Sequence, residues 1–266
     1  MKIARIRSHI VRLPADEPLA DGKGTPGATR DFVVLKVTTA DGIDGIGVTY
    51  FGGAITGALK TACDELGACV VGEDPRLVEH IAGKLHAAAG TAGPAGIFTL
   101  AMSAIDTALW DIRGKALGQP LSRLLGGMRD TVPTYASGAL MRAQSLDDLL
   151  RAGRVLVERG WGAMKTQLAL PGDTTPDKEV ERIRLLRQAI GPDVRLMCDI
   201  NQRWRVDEAI SIGLRLDPYR LHWLEDVTVA DDYHGIAQVR HKLATPIACG
   251  EYVYGLTPFR HLLEAL

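Results

Sequence analysis

The sequence predicts an α+β domain over residues 1–128, followed over residues 129–266 by an α/β domain built as a parallel barrel of the TIM type. Three observations carry this. Strand-like alternation is confined to about the first fifty residues and then gives way to helical periodicity alone. From about residue 130, short apolar runs alternate with helical stretches. Three of those runs end on a carboxylate at one spacing: Asp199, Glu225 and Glu251, each 26 residues after the last.

Residues 2–13 and 31–39 alternate, Ala40-Asp41-Gly42 is a turn signal, and 43–50 resumes a strand, giving a three-stranded meander. Residues 16–30, rich in Gly, Pro and Asp, are too long for a plain hairpin turn and read as a mobile loop suited to a lid. Helical periodicity then runs through 55–71, 76–89 and 97–117, punctuated by Gly and Pro. Strands followed by helices make an α+β domain.

Beyond it, strands are predicted at 132–137, 162–169, 194–200, 221–226 and 246–251, with helices at 145–159, 176–190, 206–216, 231–242 and 256–265. Ser145, Thr175 and Asp207 are candidate helix starts, and Gly160 and Gly191 candidate stops. A doubly wound sheet would need a Gly-rich phosphate loop after its first strand, and Ser137-Gly138-Ala139 does not match one.

Composition narrows the partners. A formal charge of −1 gives no field that would draw nucleic acid or an anionic membrane. Charged residues break every apolar stretch well short of a span. Cys63, Cys69, Cys198 and Cys249 form no Cys-x-x-Cys pair and read as reduced thiols of a cytoplasmic protein.

In a parallel barrel, acids at equivalent strand ends converge on one face. Asp199, Glu225 and Glu251 cannot all stay ionised there without a cation, and all-oxygen ligation favours Mg²⁺. Lys165 and Gln167 share one strand face, as do Asp199 and Asn201. The seven histidines find no metal or triad spacing, and Ser137 lacks a nucleophile elbow.

Taken in order, these motifs resemble the enolase superfamily, in its mandelate racemase branch. The meander and helices look like that family's capping domain, and Ala101–Lys115 like its linking helix. Lys165-Thr166-Gln167 falls where the family carries Lys-x-Lys. Asp199-Ile200-Asn201, Trp223-Leu224-Glu225-Asp226 and Cys249-Gly250-Glu251 look like its acidic strand ends.

The resemblance implies Mg²⁺-dependent removal of a proton α to a carboxylate, on a hydroxy-carboxylate substrate, by a homo-oligomer. It implies Asp199, Glu225 and Glu251 as metal ligands, with Lys165 and Asn201 at the substrate. Tyr50 and Phe51, ending the meander, would form a cap loop over the site. The implied charge balances: −3 from the acids, +1 from Lys165 and +2 from the ion.

Two departures bear on chemistry. Gln167 replaces a lysine, so it contacts substrate and is not a base. Asp226-Val227 replaces Glu-Pro, and strand alternation turns Asp226 away from the ligands. A third concerns length. The family barrel continues through further strands carrying an Asp–His base dyad, whereas this sequence stops at Leu266, so five βα units of a modified (β/α)7β barrel are expected. Acid-sugar dehydration is favoured, because a racemase needs a base on each face. A racemase or epimerase of a 2-hydroxy acid, and a non-catalytic paralogue that at most binds metal, are the rivals.

Overall fold

The computed structural model describes residues 1–14, 20, 29–50, 54–93, 95–172 and 174–265. They fall into two compact units, the described residues of Met1–Ala15 with Gly27–Val132 and those of Asp16–Pro26 with Pro133–Leu266.

In the first unit, β1 (Ile3–Pro14), β2 (Thr29–Thr39) and β3 (Asp44–Thr49) form an antiparallel meander in that order. Gly42, at φ +82°, makes the β2–β3 turn where an L side chain would be strained. Alternate residues of β2, Val33, Leu35 and Val37, are fully buried. They share a core with residues of α1 (Thr56–Val70), α2 (Val78–Ala89) and α3 (Gly96–Leu117). A single turn, α4 (Leu121–Leu124), follows. The strand β3 lies backbone-to-backbone on α3: a Cβ at Gly45 or Gly47 would collide with the carbonyl oxygens of Ala108 and Ala104. Tyr50, just past β3, is exposed and packs on Phe32 with ring centroids 5.1 Å apart. Phe51 and most of the 16–30 segment lie outside the described residues.

The second unit alternates β4 (Ala136–Leu140), α5 (Leu146–Glu158), β5 (Ala163–Gln167), α6 (Pro176–Ile190), β6 (Arg195–Asp199), α7 (Val206–Leu216), β7 (Leu224–Glu225), α8 (Tyr233–Lys242), β8 (Ile247–Ala248) and α9 (Leu256–Ala265). The strands make one parallel sheet in chain order. Its register aligns Gln167 with Asp199, Asp199 with Glu225, and Glu225 with Ala248. One parity (Met164, Leu196, Cys198, Leu224) is buried against helix residues such as Leu156, Leu186, Ile212 and Val239. Each such Leu or Ile contributes about 1.5–3 kcal/mol. The other parity carries Lys165, Gln167, Asp199 and Glu225.

The caps follow the sequence. Ser145 and Thr175 accept from the backbone N–H groups of Asp148 and Lys178. Helix α7 begins at Val206, as its periodicity predicts, with Arg205 rather than Asp207 at the cap and the Glu208 carboxylate reaching back to the N–H of Arg205. Arg187 ties the foot of the sheet, donating to the carbonyls of Gly191, Val194, Tyr219 and Arg220 at 2.7–3.3 Å.

Two expectations shift. The first barrel strand lies at 136–140, not 132–137: Val132 is 77% exposed and Pro133 has no N–H to give a ladder. The fifth strand ends at Ala248, so Glu251 sits three residues beyond it, in an exposed turn rather than on the strand.

Candidate active site

The polar row at the carboxyl ends of β5, β6 and β7 is the chemically rich part of the chain. Lys165, two residues before the end of β5, points its Nζ between Glu225 Oε1 at 2.6 Å and Asp199 Oδ2 at 3.3 Å. All three side chains are at most 14% exposed. Burial opposes the ammonium charge, but the Glu225 hydrogen bond and the neighbouring carboxylates outweigh it and hold the lysine pKa above its ordinary value.

The acids are braced from behind. Trp223, on the same face as Glu225, donates its indole N–H to Glu225 Oε2 at 2.8 Å, and Tyr135 meets the Trp223 ring edge-on. The backbone N–H of Asn201 donates to Asp199 Oδ1 at 2.9 Å, a geometry allowed by the left-handed φ of +51° at Asn201. Such supports fix which lone pairs face the site.

Asp226 corrects the alternation argument. Strand β7 ends at Glu225, and Asp226 is left-handed at φ +46°. Its carboxylate lies with those of Asp199 and Glu225, with one oxygen from each within 4.8 Å of the others. It is 3% exposed, and its Oδ2 has no hydrogen-bond partner. Burial first, then the charges of Glu251, Asp199 and Glu225, push its pKa up to about 7. Glu251 is outside that tight cluster, yet near enough to act on Asp226 and on Tyr252.

The residues present fit a hard divalent cation. Two ligands on opposite sides of Mg²⁺ stand about 4.2 Å apart, twice a 2.0–2.1 Å bond. A buried, orphaned carboxylate oxygen inside a cluster of that span is a donor without an acceptor of its charge.

On the other flank of Asp199, Asn201 Oδ1 accepts from Arg142 at 2.5 Å and from Gln167 Nε2 at 3.1 Å. The Gln167 carbonyl oxygen faces the Arg142 N–H at 3.5 Å. Tyr252 lies near Asn201 as well as near Glu251. Lys165, Gln167, Asp199, Asn201 and Glu225 are thus brought together. Arg142, Trp223, Asp226 and Tyr252 were missed. Trp223 was findable, because i and i+2 share a strand face with Glu225. Arg142 was hidden by drawing the first strand four residues early.

Comparison with known proteins agrees with this architecture. Residues 8–126 match the mandelate racemase/muconate lactonizing enzyme N-terminal domain, and residues 148–266 match the enolase C-terminal domain-like family. A 3,6-anhydro-alpha-L-galactonate cycloisomerase of Streptomyces coelicolor is 35% identical over 99% of this chain and 72% of its own length. An L-talarate/galactarate dehydratase of Salmonella typhimurium is 31% identical over 97% of this chain and 65% of its own. A solved racemase from Streptomyces coelicolor, with bound magnesium, superposes at a TM-score of 0.89 with 32% identity, over 99% of this chain and 73% of that one. The chain therefore spans about two thirds of the length of these relatives. The fold, a capping domain with an acid-ended α/β barrel, is that of the enolase superfamily. The chain belongs to its mandelate racemase/muconate lactonizing enzyme family. Among the described residues, no helix is long and apolar enough to cross a membrane.

Proposed function

We propose that the chain serves Mg²⁺-dependent removal of the proton α to the carboxylate of an acid sugar, with dehydration as the outcome. The observation that carries this is the buried carboxylate cluster with Lys165 at neighbouring parallel strand ends. Asp199 and Glu225 would hold the ion, with Glu251 as the third carboxylate and Asp226 as a further negative charge beside them. When bound, the ion supplies Lewis acidity to the substrate carboxylate.

The chain's own residues do the rest. Lys165, kept protonated, adds positive charge where negative charge develops on the substrate. Trp223 fixes the aim of Glu225. Gln167 is held at both ends of its amide and takes no proton, so chemistry on its face of the substrate is binding only. Tyr50 and Phe51 are assigned to the lid. Residues 1–128 are read as the cap and 129–266 as the barrel part. The protein is read as a cytoplasmic homo-oligomer, a setting that suits its four unpaired cysteines.

One other reading has an observation behind it. The 35% identical relative is named a cycloisomerase. Loss of an α proton followed by departure of the oxygen on the next carbon serves both reactions. A free hydroxyl leaves as water, whereas a ring oxygen stays attached. A two-base racemase is less favoured, because Gln167 leaves one face without a base.

The test is proton NMR of galactarate in D₂O. Loss of the α-proton signal with Mg²⁺, and none with a chelator, is expected. Tight Mg²⁺ binding without exchange or turnover of galactarate, galactonate or 3,6-anhydrogalactonate would refute the reading.

A further inference from the structure

Lys165 and Arg142 both stand at the working end of the sheet, and they are not equivalent. Lys165 has two carboxylates within 3.3 Å. Arg142 has none: among the described residues its guanidinium reaches only neutral oxygens, Asn201 Oδ1 at 2.5 Å and the Asp199 carbonyl at 3.4 Å. Its Nε is buried and unpartnered. A half-buried guanidinium without a counter-ion costs desolvation that two neutral acceptors do not repay.

Its placement is built rather than incidental. Arg142 sits two residues past β4, in a turn pinned by Arg182, which donates to the carbonyls of Met141 at 3.0 Å and Gln144 at 3.2 Å. The Gln144 side chain closes the same turn on the N–H of Met141 and the carbonyl of Ala139.

A half-buried guanidinium that reaches only neutral oxygens, with its Nε buried and unpartnered, describes a seat for an anion. The acid cluster with Lys165 already accounts for the carboxylate next to the reacting carbon. We propose that Arg142 receives the second, distal carboxylate of a sugar diacid, and so makes the chain selective for dicarboxylic over monocarboxylic acid sugars. This rests on the acid-sugar reading above. Planar guanidinium and carboxylate match as a fork, which a hydroxymethyl terminus cannot do. Asn201 and Gln167, fixed to one another and to Arg142, set where that end of the chain lies.

The experiment is calorimetric titration, with Mg²⁺ present, of galactarate and of galactonate, which differ only in the terminal carboxylate. It is run on wild type, Arg142→Gln and Arg142→Lys. Wild type should bind galactarate at least about tenfold more tightly. Arg142→Gln should lose about 10–100-fold for galactarate and less than about threefold for galactonate, the span expected for one charge-assisted pair. Arg142→Lys, which keeps the charge without the fork, should recover part of the preference. Mg²⁺ binding by each variant, measured alone, checks that the strand end still folds.

Equal losses for both acids would make Arg142 a structural tie and overturn the proposal. So would no loss for either acid, or equal affinity of wild type for the two. In those cases the acid-sugar reading survives. If wild type binds Mg²⁺ but neither acid, the acid-sugar reading itself fails and this proposal falls with it.

Discussion

Asp226→Asn should make the metal-free protein more stable while making Mg²⁺ matter less to it. The carboxylate is 3% exposed, with one oxygen unpartnered, and its pKa is pushed up to about 7. A carboxyl group whose folded-state pKa is raised binds its proton more tightly in the folded chain. Stability therefore falls as pH rises from the unfolded value near 3.9 towards 7, and is level above that. At about 1.4 kcal/mol for each tenfold, the gap amounts to about 4 kcal/mol as an upper figure. Asparagine carries no such charge. The difference between variant and wild type should be near zero at pH 4 and reach a few kcal/mol by pH 8. Urea denaturation in chelator, at half-unit pH steps, reads this directly. Added Mg²⁺ should then stabilise wild type more than the variant at pH 8, because only wild type has the fourth carboxylate to neutralise. Parallel pH curves for the two proteins, or a variant less stable at pH 8, would refute the argument and mark Asp226 as a hydrogen-bonding core residue.

Four further outcomes are expected. Glu225→Gln removes the negative charge and one of the two oxygens that accept from Lys165 and Trp223, and should weaken Mg²⁺ binding at least about 100-fold by calorimetry, two tenfold steps being under 3 kcal/mol. Glu251→Gln should cost at least about tenfold in the same titration. Unchanged affinity there, with loss in Asp226→Asn, assigns the third ligand to Asp226. Deuterium exchange at the α carbon should be confined to one epimer of the substrate, since Gln167 is no base; equal exchange from both would identify another group on that face. Arg187→Ala abandons four backbone carbonyls and should cost about 2–4 kcal/mol in urea unfolding, with Mg²⁺ affinity unchanged.

Much of the fold was legible in the sequence, and the reason differs by element. Helices α6, α7 and α9 fall where their periodicity puts them, because 3.6-residue spacing is strong over ten or more residues. The short strands were drawn too long, since β7 and β8 have two residues each and their apolar flanks look the same in or out of a ladder. Asp199 and Glu225 were readable as strand-end acids. The position of Asp226 was not, because it depends on a left-handed residue that no glycine announces. Arg142 carried no motif at all; its meaning comes from what it lacks among the described residues, a carboxylate partner, and that is visible only in three dimensions.

Gln167, Asp199 and Glu225 stand in a single row because every strand counts residues in step with its neighbour. Such a row tolerates exchange of one side chain for another at a fixed place. It does not tolerate a change in count. Deleting one residue early in β6 would bring Ile200 to the row and send Asp199 among the aliphatic side chains facing the helices. New chemistry can thus be acquired here by point replacement, as at Gln167, while insertions and deletions are confined to the loops beyond the strand ends.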